Sequence, residues 1–238
     1  MKSAMKNVVE AARPWLSLLG LLLSASAAAQ PVVVELFTSE GCSSCPPADV
    51  FLGELARRPG IIALAYHVDY WDDLGWKDRF SIPEATRRQQ GYVKRLARSG
   101  PFTPQVVVSG DTSLVGSNRD AVERAIAGDR DALAIVLSKT GSNLQIQFPE
   151  GWREPMDVYY VTYLAEAASK IERGENARRN LKHFNVVRSF KRLGTWNGKP
   201  QSMTVPLAGL PRDASAVAVI LQSKNQGAVA GAATLMLR

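Results

Sequence analysis

Cysteine is almost missing from this chain: among its 238 residues only Cys42 and Cys45 occur, and His67 and His183 are the only histidines. Two cysteines three apart close a very small loop and restrict the unfolded chain little, so a stabilising disulfide is a weak reading on energetic grounds. After the first thirty residues no segment approaches the eighteen or more apolar residues needed to cross a bilayer. There is no phosphate-cradling glycine loop, no serine–histidine–acid set, no internal repeat and no low-complexity tract. Aromatic side chains are too sparse among the basic ones to suggest a nucleic-acid surface. What is left is a chain whose most informative chemistry is two sulfurs.

The first thirty residues read as a targeting segment. Lys2, Lys6 and Arg13 make a basic start, Trp15 to Leu23 an apolar core, and Ala27-Ala28-Ala29 a small-residue cleavage site. Residues 1–29 are therefore expected to be a signal peptide cleaved near Ala29, giving a periplasmic or secreted protein. No cysteine follows the apolar core, which argues against a lipid anchor. The formal charge of +7 falls to +5 without that segment, and about 209 residues remain, enough for one large or two modest domains. Outside the cytosol a disulfide persists.

Pro31-Val-Val-Val-Glu-Leu-Phe-Thr38 reads as a buried strand and Ala48 to Arg58 as a helix stopped by Pro59-Gly60, with Cys42-Ser43-Ser44-Cys45 at their junction. The N–H groups and positive dipole end of a helix favour a thiolate there, and a second cysteine three residues on can resolve a mixed disulfide. A second strand covers Ile61 to Val68, and the aromatic and acidic stretch Asp69 to Phe80 follows it. A basic helix runs from Pro83 or Glu84 to Arg98. Thr103-Pro104 leads a third strand, Gln105 to Ser109. A hairpin at Gly110-Asp111, a short strand at Leu114-Val115 and a helix over Arg119 to Ala127 complete this half. From Ala132 onward, strands alternate with turns: 133–137, 144–148, 157–164, 184–190, 202–207, 216–221 and 232–237. The expected organisation is residues 30–130 as one α/β domain and 131–238 as a β-rich, sandwich-like domain, with the boundary near Gly128 to Asp131.

Thr103 and Pro104 are candidates for the substrate side of the cysteine site. A proline ahead of a strand donates no hydrogen bond, and a cis peptide there would leave neighbouring backbone free to pair with a partner. The other reading is an ordinary strand-entry proline. Trp71 and Trp76 are candidates for the wall of a peptide groove, or else cover the site edge and cap a helix. Glu35 and Glu40 would oppose thiolate formation by like charge, or lie solvated on the surface. His67, at the end of the second strand, allows an alternative function: with Cys42 and Cys45 it offers a soft metallochaperone-like set for Cu(I) or Zn²⁺. Its other reading is a hydrogen-bonded histidine that holds the Asp69–Trp76 loop. Between Lys170 and Lys199 nine Lys or Arg face only Glu172 and Glu175. That is a solvated basic face, or one for an acidic partner or anionic surface.

Strand, CxxC, helix, strand, helix, Thr-Pro, strand, hairpin and helix over 31–128 look like the thioredoxin fold. Several tracts are more specific: Glu35 to Asp49, His67 to Asp78, Phe102-Thr-Pro-Gln-Val-Val-Val108, Arg173-Gly-Glu-Asn176 and Asn185-Val-Val-Arg188. Together they resemble a family of secreted bacterial proteins catalogued as a domain of unknown function. The resemblance implies a thioredoxin-like N-terminal domain and a bacterial envelope location, with Cys42 as attacking thiolate, Cys45 as resolving thiol and Pro104 as the substrate-side proline. The function expected is thiol–disulfide exchange on protein or small thiols and disulfides, with no dissociable cofactor and an envelope protein as a candidate partner.

Overall fold

A computed structural model describes residues 31–128 and 132–237. The proposed signal peptide, and all of the expected boundary near Gly128 to Asp131 except Gly128, lie outside the described residues. Among those described, no helix is long and apolar enough to cross a membrane.

The elements up to residue 128 follow from local pattern. β1 (Val32–Thr38) and β2 (Ile61–His67) are apolar, β-branched runs that pair in parallel, buried along almost their whole lengths. Parallel strands need a crossover, and α1 (Pro46–Leu55) supplies it, with prolines tolerated in its first turn because the N–H groups there have no helical partner. α2 (Pro83–Arg95) also opens on proline. β3 (Gln105–Val108) runs antiparallel to β1, β4 (Thr112–Val115) pairs with β3, and α3 (Arg119–Ile126) starts at Asn118, whose side chain accepts from the N–H of Ala121.

The remaining strands are β5 (Val136–Thr140), β6 (Asn143–Phe148), β7 (Met156–Lys170), β8 (Asn180–Trp196), β9 (Gln201–Pro206), β10 (Ala216–Ser223) and β11 (Val229–Met236). Here the structure corrects the expected fold class. The chain is not a thioredoxin-like α/β domain followed by a β-sandwich-like domain. It is mostly β, built on one mixed eight-stranded sheet in the order β11-β10-β7-β8-β2-β1-β3-β4, with only a small second sheet, β5-β6-β9. The cause is the β7–β8 hairpin, whose strands run 15 and 17 residues where the sequence suggested about seven. β8 is long enough to reach the open edge of β2, where Ala65 pairs with Val186, so the sheet does not stop at β2. Asn185, at φ 48°, bends the strand at that junction, and its side chain donates to the carbonyl of Ala63 at 2.8 Å.

Two apolar layers cover opposite faces of the β1–β2 region, one under α1 with Leu36, Phe51, Leu52 and Leu55, the other under α2 with Phe37, Tyr66 and Tyr92. The three-stranded sheet packs Leu144, Ile146 and Phe148 on Trp196, Val217 and Val219 at the far end of the large sheet. The result carries the β1–α1 junction, the end of β2 and the turn between β7 and β8 to one sheet edge.

Candidate functional site

Cys42 and Cys45 are joined in a disulfide, with an S–S distance of 2.10 Å and Cα atoms 5.4 Å apart. Cys45 is the N-cap of α1; Cys42 sits three residues earlier in a turn closed by its N–H on the carbonyl of Ser39. So the helix tip falls at Cys45 rather than at Cys42. Ser43 and Ser44 face solvent, but both cysteines have 0% exposure. A reactive cysteine is ordinarily within reach of solvent; here neither sulfur is.

Behind the disulfide lies a buried polar cluster. The Nδ1 of His67 is 2.7 Å from Asp78 Oδ2, and that carboxylate also accepts from the backbone N–H groups of Glu40 and Phe80 at 2.8 Å each. Burial alone would lower the His67 imidazole; the Asp78 carboxylate outweighs it and holds the group above its ordinary value. Burial pushes Asp78 up, but His67 and the two N–H donors pull it below the usual carboxylate range. Glu40 is likewise held low against its burial, by His183 and by Trp76, whose indole N–H donates to Oε2 at 2.7 Å. His183 Nε2 lies 3.3 Å from Glu40 Oε1, an ion-pair distance without hydrogen-bond alignment. Asp49, one helical turn after Cys45, accepts from Thr38 at 2.8 Å, and burial pushes it up to about 6 against the pull of His183, His67 and Thr38. It also lines a cleft of about 250 Å³ with Pro46, Val50, Asn180, Leu181 and Lys182.

The other predicted residues divide between the two sides of this cluster. Thr103-Pro104 is a cis peptide bond. Trp71 reaches it with an indole N–H on Thr103 Oγ1 at 2.9 Å, and its Cβ lies so close to Gly41 that a Cβ there would be 3.2 Å away. Pro104 abuts Gly116, whose added Cβ would meet both Pro104 and Ala48 of α1 at 3.2 Å. Trp71 therefore bridges the Thr-Pro segment and the cysteine turn, whereas Trp76 faces Glu40. Glu35 and Glu40, read as thiolate opponents or solvated groups, are both fully buried. Glu35 is neutralised on the opposite face, by Arg88 at 2.5 and 2.9 Å and the Tyr92 hydroxyl at 2.5 Å. Among the described residues no group of three or more His, Cys, Asp or Glu is arranged to hold a metal ion.

Sequence reasoning missed five contributors: Asp49, Asp78, His183, and above all Glu175 with Asn176 in the β7–β8 turn. The Nδ2 of Asn176 donates to the carbonyls of Glu40 and Cys42 at 2.9 Å each, and Ser43 N–H donates to Glu175 Oε2 at 3.1 Å. The only signal for these last two was the tract Arg173-Gly-Glu-Asn176, which carried part of the family resemblance.

The sequence matches, over residues 33–222, the model of a family described as "Protein of unknown function (DUF1223)". Its fold is similar to the crystal structure of a protein from Agrobacterium tumefaciens: 30% identity, TM-score 0.78, covering 88% of this chain and 96% of that one. HBP35 of Porphyromonas gingivalis is similar at TM-score 0.58 with 14% identity, over 87% of this chain and 75% of that one, a likeness of fold alone. No curated protein matches the sequence.

Proposed function

The chain belongs to the DUF1223 family of proteins of unknown function, and we propose that it is an exported thiol–disulfide oxidoreductase working through Cys42 and Cys45. The observation that carries this reading is the Cys42–Cys45 disulfide at the N-terminus of α1, with Trp71 linking Thr103 to Gly41 next to Cys42. Such a short bridge adds little stability, and a helix N-terminus is where a released thiolate is best tolerated.

The exchange balances as follows. A thiolate of the partner attacks one sulfur of the bridge and forms a mixed disulfide; the S–S bond breaks and the released cysteine thiolate takes a proton. A second partner thiolate then breaks the mixed disulfide, so the partner leaves as a disulfide and the pair holds two electrons and two protons as a dithiol. In reverse, Cys42 attacks the partner's disulfide and Cys45 resolves it. The buried Glu40 carboxylate works against ionisation of a nearby thiol, while the end of α1 works for it. The partners in this reading are protein or small thiols, and the leader-like first thirty residues support an envelope or extracellular location.

The test uses single cysteine variants. Cys45→Ser should accumulate mixed disulfides through Cys42, and Cys42→Ser should trap none and lose exchange activity. Absence of trapped species from Cys45→Ser, with Cys42 unreactive to alkylation, removes the proposal.

A further inference from the structure

A part of the chain far from the disulfide in sequence bonds to the main chain around Cys42, while Ser44 Oγ lies 3.4 Å from Cys42 Sγ. The turn at 171–179 closes at its neck, where Ile171 N–H donates to the carbonyl of Arg179 and Arg178 N–H to that of Ile171, at 2.9 and 2.8 Å. Its tip passes over the 69–78 loop at two glycines, Gly75 and Gly174, both at positive φ. A Cβ on Gly174 would lie 3.1 Å from Trp76 Cβ, so the crossing needs glycine there. Beyond that crossing, Glu175 and Asn176 take hydrogen bonds with Ser43 N–H and with the carbonyls of Glu40 and Cys42.

The groups held this way are main-chain ones, a donor at 43 and acceptors at 40 and 42, flanking the sulfur that the exchange reaction uses. The two carbonyls are held by a buried side chain, and uncovered away from water each would carry the cost of an unmade hydrogen bond; the Ser43 N–H lies at an exposed position. A small thiol brings no set of amides and carbonyls to replace them. An extended polypeptide does, through its own backbone N–H and C=O groups. The strap's chemistry matches that role, since the Asn176 side chain is a primary amide donating as a peptide N–H would. Its own Oδ1, fully buried, has no hydrogen-bond partner, so that side chain is only half satisfied where it sits.

Resting on the oxidoreductase reading, we propose that the 171–179 turn is a displaceable strap that occupies the docking position of a polypeptide partner, and that access to the Cys42–Cys45 disulfide requires its release. The strap is a self-contact that a partner's backbone replaces hydrogen bond for hydrogen bond.

The experiment measures reduction of the native, full-length protein by dithiothreitol, a neutral dithiol that gives two electrons and two protons to the bridge and leaves as a cyclic disulfide. Free thiols are read by alkylation and mass. With opening rate-determining, loss of the two buried strap hydrogen bonds in Asn176→Ala should raise the rate about thirtyfold, and loss of the exposed one in Glu175→Ala only about threefold. Glu175→Gln keeps an acceptor for Ser43 N–H and should stay within twofold of the parent. Rates for both alanine variants within twofold of the parent, with unchanged circular dichroism, overturn the strap. Should Asn176→Ala fail to fold, the comparison of Glu175→Ala with Glu175→Gln decides alone. A second arm reduces the parent with an unstructured cysteine-containing hexapeptide and with its backbone N-methylated form, which has the same thiol but lacks N–H donors. At least fivefold slower reduction by the methylated form supports backbone docking, and equal rates overturn the polypeptide assignment. Because the dithiothreitol arm reads opening alone, it can succeed even if the Cys45→Ser test removes the oxidoreductase reading.

Discussion

His67 Nδ1 and Asp78 Oδ2 lie 2.7 Å apart with both side chains shut away from solvent, and this pair ties the end of β2 to the loop that flanks the cysteine turn. The same carboxylate holds the Glu40 N–H, so it fixes the chain two residues before Cys42. Removing one member of a buried ion pair leaves the other uncompensated.

Asp78→Ala should therefore cost about 3 kcal/mol in urea unfolding. The pH dependence has a definite sign. His67 is raised in the folded state, so its contribution is complete below its ordinary value of 6.5 and is lost as pH rises through the higher folded value. Unfolding midpoints of the parent should fall as pH rises above 6.5, and His67→Gln should remove that component. An identical slope in both proteins would contradict the assignment.

Asp49 carries the opposite sign. An acid raised from 3.8 to about 6 is disfavoured in its charged form by folding, so its cost is absent below 3.8, grows up to about 6 and is constant above. Asp49→Asn keeps an acceptor for Thr38 and should stabilise the protein by about 3 kcal/mol at pH 7 and by only about 0.5 kcal/mol at pH 4. Equal effects at both pH values would show that Asp49 does not titrate in this range.

Glu35→Gln should destabilise by about 3–5 kcal/mol, because it strands the buried Arg88 guanidinium among Tyr66, Tyr92 and Phe190. The Glu35–Arg88 pair sits under α2, away from the disulfide. At a denaturant concentration where the variant is still folded, its bridge should react as in the parent; faster or slower exchange would place Glu35 in the site after all.

Gly53 marks where α1 rests on β8. A Cβ there would overlap the ring of Phe184, so Gly53→Ala should cost about 1–3 kcal/mol, seen as a lower thermal midpoint. Adding Phe184→Leu should recover part of it, and no recovery would mean that the loss has another source.

The strand, the cysteine pair and the helix are legible because they are local: an apolar run, two prolines after the cysteine pair and the stop at Pro59-Gly60 suffice. The architecture is not. Nothing in Tyr163-Leu-Ala-Glu-Ala-Ala-Ser-Lys170 announces that a strand continues through it, since the alanines suit other structures equally well. Once that hairpin is long, β8 pairs with β2 and the two expected units share a sheet. Asp78 was read as one acid in a cluster because its partner is named by three-dimensional packing, not by spacing. The strap contacts span 132 to 136 residues, a separation at which sequence carries no geometric signal.

The most direct test compares two rates in one buffer without denaturant: reduction of the Cys42–Cys45 bridge by dithiothreitol, and global unfolding from the slowest-exchanging core amides. Exchange through a local opening predicts reduction much faster than global unfolding and first order in reductant at low concentration. Reduction that never outruns unfolding, whatever the reductant concentration, would make the bridge a sealed structural link and contradict a working redox pair.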